Sequence, residues 1–95
     1  MADSKSKAYS QVIRIAKVDS AWIYHVLEAH EGIVSYSTLV GGVEALTPEG
    51  LPTCELALTI PAGFLEEVRA VLEHLKETGV WIHELSQPSL ESDRD

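Results

Sequence analysis

The order of the periodic segments in this chain predicts an α+β fold built as strand–helix–strand–strand–helix–strand. Three observations support this prediction: two helical stripes of apolar residues, four short segments with strand-like patterns around them, and a glycine after each helical stripe. Each helix lies between two strands, so the chain consists of two strand–helix–strand halves. The length of 95 residues suits a single domain with one modest core.

The first half begins with a strand over residues 11–18, where β-branched and apolar residues fill both alternating sets. A helix follows, because apolar residues then recur at helical spacing. Asp19 and Ser20 can cap its start, since their side-chain oxygens can accept hydrogen bonds from the free amides of the first turn. Gly32 is expected to end the helix in the left-handed conformation. Residues 33–40 alternate in polarity and predict the second strand.

The second half repeats this pattern after a long hairpin connection over residues 41–53. Residues 54–60 have the most regular period of two in the chain, which predicts the third strand. An apolar stripe over residues 64–78 predicts the second helix, and Gly79 is expected to end it. Residues 80–85 then form a last short strand.

Two such halves with right-handed crossovers place both helices on one face of an antiparallel sheet with the strand order 4-1-3-2. This arrangement is the ferredoxin-like fold. The domain is expected to span residues 10–86. It is flanked by a disordered N-terminal tail at residues 1–9 and a disordered acidic C-terminal tail at residues 87–95, because both segments are polar and lack periodicity.

The helix-free face of the predicted sheet mixes polar and apolar side chains. We expect it to hold Ala57, Thr59, Trp81 and His83, together with Glu55. A solvated sheet face is normally polar throughout, and an aromatic residue on it favours a partner that covers the face. The sequence therefore predicts a homodimer, formed through this face or through a sheet edge. The alternative is that the C-terminal tail folds back, or that Trp81 only lies over its neighbours.

The charge of the chain argues against two classes of partner. Fifteen acidic residues against seven basic ones give a formal charge of −8. Affinity for nucleic acid comes mostly from basic side chains that contact phosphates, so no nucleic-acid partner is expected, and an anionic membrane surface is disfavoured for the same reason. No apolar run has the length of a membrane-spanning helix or a secretory signal. With the single Cys54, which leaves no internal disulfide, these features predict a cytoplasmic protein.

No catalytic set, metal cluster or phosphate loop stands out in the sequence. His25 and His30 are five residues apart, which is about 140° around a helix, so they do not share a metal ion. No metal and no cofactor are therefore expected. Cys54 would become a nucleophile only beside a base such as His83, and it is expected to pack as a small apolar residue. We expect no catalytic residues, and a small enzyme that uses His83 or Cys54 is the weakest alternative.

Three short elements of the chain resemble a family of short bacterial domains of unknown function. They are Val18 and Asp19 before the first helix, residues 27–32 at its end, and residues 56–71 from the third strand into the second helix. That family is similar to the ACT domains, which bind amino acids and regulate enzymes, often across dimer interfaces. The resemblance implies a ferredoxin-like fold and a small-ligand loop between the first strand and the first helix.

The positions of that loop are Asp19, Ser20, Ala21 and Trp22 in this chain. ACT-type loops favour an Asp-x-Pro-Gly sequence, in which the glycine lets the backbone approach a ligand closely. Here Ala21 and Trp22 stand in place of the proline and the glycine. The leading hypothesis is a non-catalytic, self-associating module that binds another protein or a small ligand. The alternative is an amino-acid sensor that uses the loop at Asp19–Trp22.

Overall fold

The computed structural model describes residues 8–30, 32–39 and 45–90. The elements run in the order β1 (Ala8–Ala16), a 3-10 turn (Lys17–Asp19), α1 (Ser20–Ala29), β2 (Ser35–Leu39), β3 (Thr53–Pro61), α2 (Leu65–Glu77), β4 (Ile82–Glu84) and β5 (Ser89–Leu90). The sheet has the strand order β2-β3-β1-β4 with antiparallel pairs throughout, and β5 also pairs with β1. This is the predicted order read from the other edge, and the ferredoxin-like fold is confirmed.

The hydrophobic core fills the space between the sheet and the two helices. The period of two in β3 points Leu56 and Leu58 toward the helices, and both side chains are fully buried. Ile13 of β1 lies opposite Leu56 and extends the same apolar surface. Burial of each such aliphatic side chain contributes about 1.5–3 kcal/mol. The helices complete the core with buried aliphatic residues, which are Ile23, Leu27, Val68, Leu72 and Leu75.

Tyrosine side chains join β2 to α1. The rings of Tyr24 and Tyr36 stack with their centroids 5.0 Å apart and an interplanar angle of 6°. The Tyr36 hydroxyl donates a hydrogen bond of 2.9 Å to the Glu28 carboxylate. This bond raises the pKa of Tyr36, because loss of the proton would break it and leave two negative charges side by side.

A polar network joins the C-terminal part of α2 to β4 and β1. The Gln11 side-chain amide donates to Glu84 at 3.1 Å, and Lys76 Nζ donates to the other oxygen of the same carboxylate at 3.1 Å. The bond to Glu84 is the main reason that the pKa of Lys76 is raised. Gln11 is buried, so its amide needs these partners.

The two helices end differently, and one of the predicted end signals is wrong. Gly79 has a φ of 101°, the left-handed conformation expected after α2. Gly32 is not among the described glycines with positive φ. After α1 the chain turns instead through hydrogen bonds from the Ile33 and Val34 amides to the His30 carbonyl. At the other end of α1, Asp19 is the residue before the helix, but its side chain makes no capping bond.

The C-terminal segment differs from the prediction of a tail at residues 87–95. Ser89–Leu90 forms β5, which pairs with Tyr9 and Ser10 at the start of β1. Because β1 begins at Ala8 and is much longer than β4, part of its edge would otherwise leave backbone groups unpaired. The segment that follows β4 supplies the missing partners. Its polar composition has no strand pattern, which is why this strand was not predicted.

The connection between β2 and β3 contains a four-residue turn from Thr47 to Gly50. The Gly50 amide donates to the Thr47 carbonyl at 2.8 Å, which closes the four-residue turn. The buried Thr47 hydroxyl accepts two further backbone hydrogen bonds within it. Leu46 forms an isolated bridge with Pro52, whereas residues 40–44 lie outside the described part of the chain.

Candidate functional site

Three polar side chains form a row across the centre of the helix-free face of the sheet. Arg14 of β1 lies directly opposite Glu55 on β3 and directly opposite His83 on β4. Residues that lie opposite one another in an antiparallel pair point to the same face. Since their neighbours Leu56 and Ile82 are buried under the helices, the row points away from the helices. We call it the Glu55–Arg14–His83 row.

The centre of this row is an ion pair that is largely shielded from water. Arg14 Nη2 donates to Glu55 Oε2 at 2.6 Å, and the two side chains are only 19% and 21% exposed. Arg14 Nε is also buried and has no hydrogen-bond partner within the described residues. A charge-assisted bond of this length is a strong one. Because the pair is already largely desolvated, a molecule that covered it would incur only a small further desolvation cost.

An aromatic pair continues the row at its β4 end. The rings of Trp81 and His83 stack with their centroids 6.0 Å apart and an interplanar angle of 15°. Ala57 and Thr59 of β3 lie opposite Val12 and Ser10 of β1, and therefore occupy the same face. The structure thus brings together all four residues proposed for an interface, although their role in one stays a prediction.

The charge of this face differs from that of the helix layer. The face carries one cation and one anion, Arg14 and Glu55, beside His83. The helices carry five carboxylates and two cations, which are Glu28, Glu66, Glu67, Glu73 and Glu77 with Arg69 and Lys76. In a chain with a formal charge of −8, the helix-free face is therefore a charge-balanced surface.

The predicted ligand loop at Asp19, Ser20, Ala21 and Trp22 is not a loop. Asp19 ends the 3-10 turn and Ser20 begins α1, so the next two residues lie in the first helical turn. This happens because Ala21 and Trp22 are compatible with a helix at the positions where an ACT-type loop has proline and glycine. The Trp22 ring is 52% exposed and stacks on His25, with the centroids 5.8 Å apart.

Trp22 instead lines a groove between α1 and α2. The groove has a volume of about 660 Å³ and a largely apolar lining, formed by Trp22, Val26, His30, Ala70, Val71, His74, Leu75, Thr78 and Val80. We call it the interhelix groove. It was not predicted, because the apolar stripes of both helices were expected to lie entirely in the core. The available signal was that Trp22, Val26 and His30 recur every four residues along one side of α1.

The register of the sheet separates the two side chains proposed for an enzyme. Cys54 lies opposite Ile15 and therefore points toward the helices, whereas His83 lies on the helix-free face. The Cys54–His83 pair is thus not formed. The described residues contain no group of three or more histidines, cysteines or carboxylates that could hold a metal ion. None of the helices in the described ranges is long and apolar enough to cross a membrane.

Solved structures share this fold at low sequence identity. One is CPII, a nitrogen regulatory PII-like protein from Thiomonas intermedia K12 that was solved with ADP, AMP and bicarbonate bound. Its TM-score is 0.55 at 15% identity, and the match covers 83% of this chain and 92% of that one. Another is a DUF3240 family protein from Shewanella baltica OS155, with a TM-score of 0.54 at 20% identity over 88% of this chain and 97% of that one.

The sequence by itself gives no such match. The chain matches no protein-family model and no curated protein. At identities of 15% and 20% the structural likeness concerns the fold alone. The chain is a small domain with the ferredoxin-like α+β fold that the PII-like and DUF3240 proteins also have.

Proposed function

We propose that this protein is a non-catalytic module that associates with a second copy of itself through the helix-free face. The observation that supports the proposal best is the charge-balanced Glu55–Arg14–His83 row, flanked by Trp81, in a chain that is otherwise strongly acidic. The proposal places the working surface on the sheet and assigns no reaction to it.

The electrostatics favour this face over the helix layer for self-association. Two copies of a chain with a formal charge of −8 repel each other, and the repulsion is strongest between surfaces rich in carboxylates. A two-fold contact brings the same surface together from both copies. A surface with one cation and one anion can match itself in such a contact, because Arg14 of each copy can approach Glu55 of the other.

The apolar side chains of the face add a driving force. Trp81 is half-buried and Ala57 is small, so the surface around them is flat and partly apolar. Tryptophan is enriched in the centres of protein interfaces, where its large ring removes much apolar area from water. A domain of this size also buries a modest fraction of its own surface, so association adds usefully to its stability.

A binding role is also supported by the kind of protein that shares the fold. The PII-like protein is a regulatory protein and was solved with nucleotides and bicarbonate bound. We propose by analogy that the present chain regulates or binds rather than catalyses. We place it in the cytoplasm, which agrees with a single unpaired cysteine at position 54.

The test replaces a small residue at the centre of the face by a large charged one. Ala57→Arg is expected to give a monomer at concentrations where the unchanged chain is a dimer, because it adds bulk and an unmatched charge to both sides of a two-fold contact. Ala29→Arg makes the same change on the exposed surface of α1 and should leave the dimer intact. Sedimentation velocity from micromolar to millimolar concentration measures the mass, and circular dichroism checks that each variant is folded.

Two results would overturn the proposal. One is an unchanged chain that stays monomeric at millimolar concentration. The other is a folded Ala57→Arg variant that dimerises as well as the Ala29→Arg control.

A further inference from the structure

We infer that the interhelix groove is a binding site for a flat aromatic amine, meaning a small molecule with fused aromatic rings and a positive charge. This site lies in the helix layer, on the other side of the sheet from the proposed self-association surface. It therefore does not depend on the dimer.

The dimensions of the groove suit a molecule of two or three rings. Trp22 and His30 are eight positions apart along α1 and the residue that follows it, which corresponds to a length of about 12 Å. The volume of about 660 Å³ lies within the range of roughly 300–1,000 Å³ that is usual for small-molecule sites. The lining is mostly apolar, with Val71 and Leu75 contributed by α2.

Trp22 gives the groove an aromatic wall. Its indole is half exposed although it is one of the largest apolar groups in the chain, and its ring also stacks on His25. An exposed indole favours stacking with another flat ring. It also attracts a cation, since the face of the ring carries partial negative charge.

Two polar side chains of the groove can offer hydrogen-bond acceptors to a ligand. His30 Nδ1 lies 2.9 Å from the Val26 carbonyl and must donate to it, which leaves Nε2 of the neutral ring as an acceptor. The Thr78 hydroxyl donates to the Leu75 carbonyl at 2.8 Å, so its oxygen can only accept a further bond. An ammonium group offers donors alone and is the natural complement to these two atoms.

The charge around the groove also favours a cation. None of its nine lining residues is Asp, Glu, Lys or Arg. Glu67 precedes Ala70 by three residues and Glu77 follows His74 by three, so both carboxylates lie next to the groove on the surface of α2. Neither carboxylate forms a salt bridge within the described residues. A bound carboxylic acid would be repelled by them, whereas an amine would be attracted.

The test uses proflavine, a flat three-ring aromatic cation, with anilinonaphthalene sulfonate as an aromatic anion for comparison. The chain has two tryptophans, one on each side of the sheet, so their indole N–H signals in a nitrogen-15 correlation spectrum report on the two surfaces separately. Proflavine is expected to bind saturably, with one molecule per chain, and to shift the Trp22 signal without shifting the Trp81 signal. It should bind at least about tenfold more tightly than the anion.

Matched variants locate the binding. Trp22→Ala removes the aromatic wall and Ala70→Trp fills the groove, so each should weaken proflavine binding by about tenfold or more. Both positions are exposed, so neither change disturbs the core. Phe64→Ala removes an exposed aromatic ring that does not line the groove and should leave the affinity unchanged.

The result of the proflavine experiment does not depend on the result of the dimer test. Equal proflavine binding by the unchanged chain and both groove variants would overturn the inference, as would equally tight binding of the anion. The Ala57→Arg variant should bind proflavine normally whether or not the chain dimerises, so a failed dimer test leaves this site standing.

Discussion

The two tryptophans mark surfaces of different kinds. Trp81 lies beside His83 on the flat, charge-balanced face of the sheet, close to an ion pair that is already mostly dry. Trp22 lies over a concave groove lined by apolar side chains and hydrogen-bond acceptors, with carboxylates beside it. The same residue type therefore has different surroundings on each side of the sheet. The two proposals above assign a protein partner to Trp81 and a small molecule to Trp22 from the shape and charge of their surroundings.

The largest expected change in the free energy of unfolding comes from the side of the sheet that contains the core. Leu58→Ala should lower the free energy of unfolding by about 2–5 kcal/mol, because Leu58 is fully buried beneath the helices. Thr59→Ala, one residue along on the other face, should change it by less than about 0.5 kcal/mol. Urea unfolding followed by circular dichroism measures both values. Similar losses for the two variants would contradict the assignment of the faces.

The next effect concerns the ion pair on the helix-free face. Glu55→Leu should cost about 1–3 kcal/mol, because it leaves the poorly solvated Arg14 guanidinium without its partner. The double variant Arg14→Met with Glu55→Leu should recover most of that loss, since no charge is then left unpaired. Urea unfolding at low chain concentration, where the monomer dominates, measures both. A double variant as unstable as the single one would show that the pair itself holds the strands together.

A smaller effect separates the two tryptophans in self-association. Trp81→Ala should raise the dissociation constant of the dimer by about tenfold, which is about 1.4 kcal/mol. Trp22→Ala should leave that constant unchanged, because Trp22 is in the helix layer. Sedimentation equilibrium of the two variants checks this. An equal effect of both changes would mean that the dimer uses the helix layer.

The smallest effect comes from the ion pair on the helix side and depends on pH. The bond to Glu84 raises the pKa of Lys76 above its unfolded value, so its stabilisation is fully present below about pH 10.4 and is lost as the pH rises through the folded pKa. The Lys76 side chain is 33% exposed and the Glu84 side chain is 38% exposed, so water screens their ion pair. The pair therefore contributes less than about 1 kcal/mol to the free energy of unfolding.

The measurement compares Lys76→Met with the unchanged chain in urea at several pH values. The difference in unfolding free energy should be constant near neutral pH and shrink at alkaline pH. Lys17→Met, at an exposed lysine without a salt bridge in the described residues, should show no such trend. A difference between the Lys76 variant and the unchanged chain that persists at alkaline pH would contradict the assignment.

Periodicity predicted the fold well because burial repeats regularly along each element. The alternation in β3 and the helical stripes assign Leu56, Leu58 and Val68 to the core, and the structure agrees. Local end signals were less reliable. Gly32 does not take the left-handed conformation predicted for it, because α1 ends at Ala29 and the His30 carbonyl accepts the hydrogen bonds that turn the chain.

The two surfaces were predictable to different degrees. Alternation alone predicts that Trp81, His83 and Ala57 lie on one face, because successive residues of a strand point to opposite faces of the sheet. The interhelix groove depends on how far apart two packed helices lie. The residue pattern of a single sequence does not indicate this distance. An apolar helical stripe that lines a groove therefore has the same pattern as one that packs into a core.

The pairing of β1 has a consequence for how the protein is made. β1 is the first of the described strands in chain order, yet its neighbours are β3 on one edge and the later strands β4 and β5 on the other. On the ribosome about 45 residues separate the start of β1 from the start of β3, and about 80 separate it from Ser89–Leu90, which closes the second edge. An apolar strand without partners is prone to aggregate during that time. Ser89–Leu90 therefore pairs last, and part of the β1 edge stays open to edge-to-edge pairing until these two residues have been synthesised.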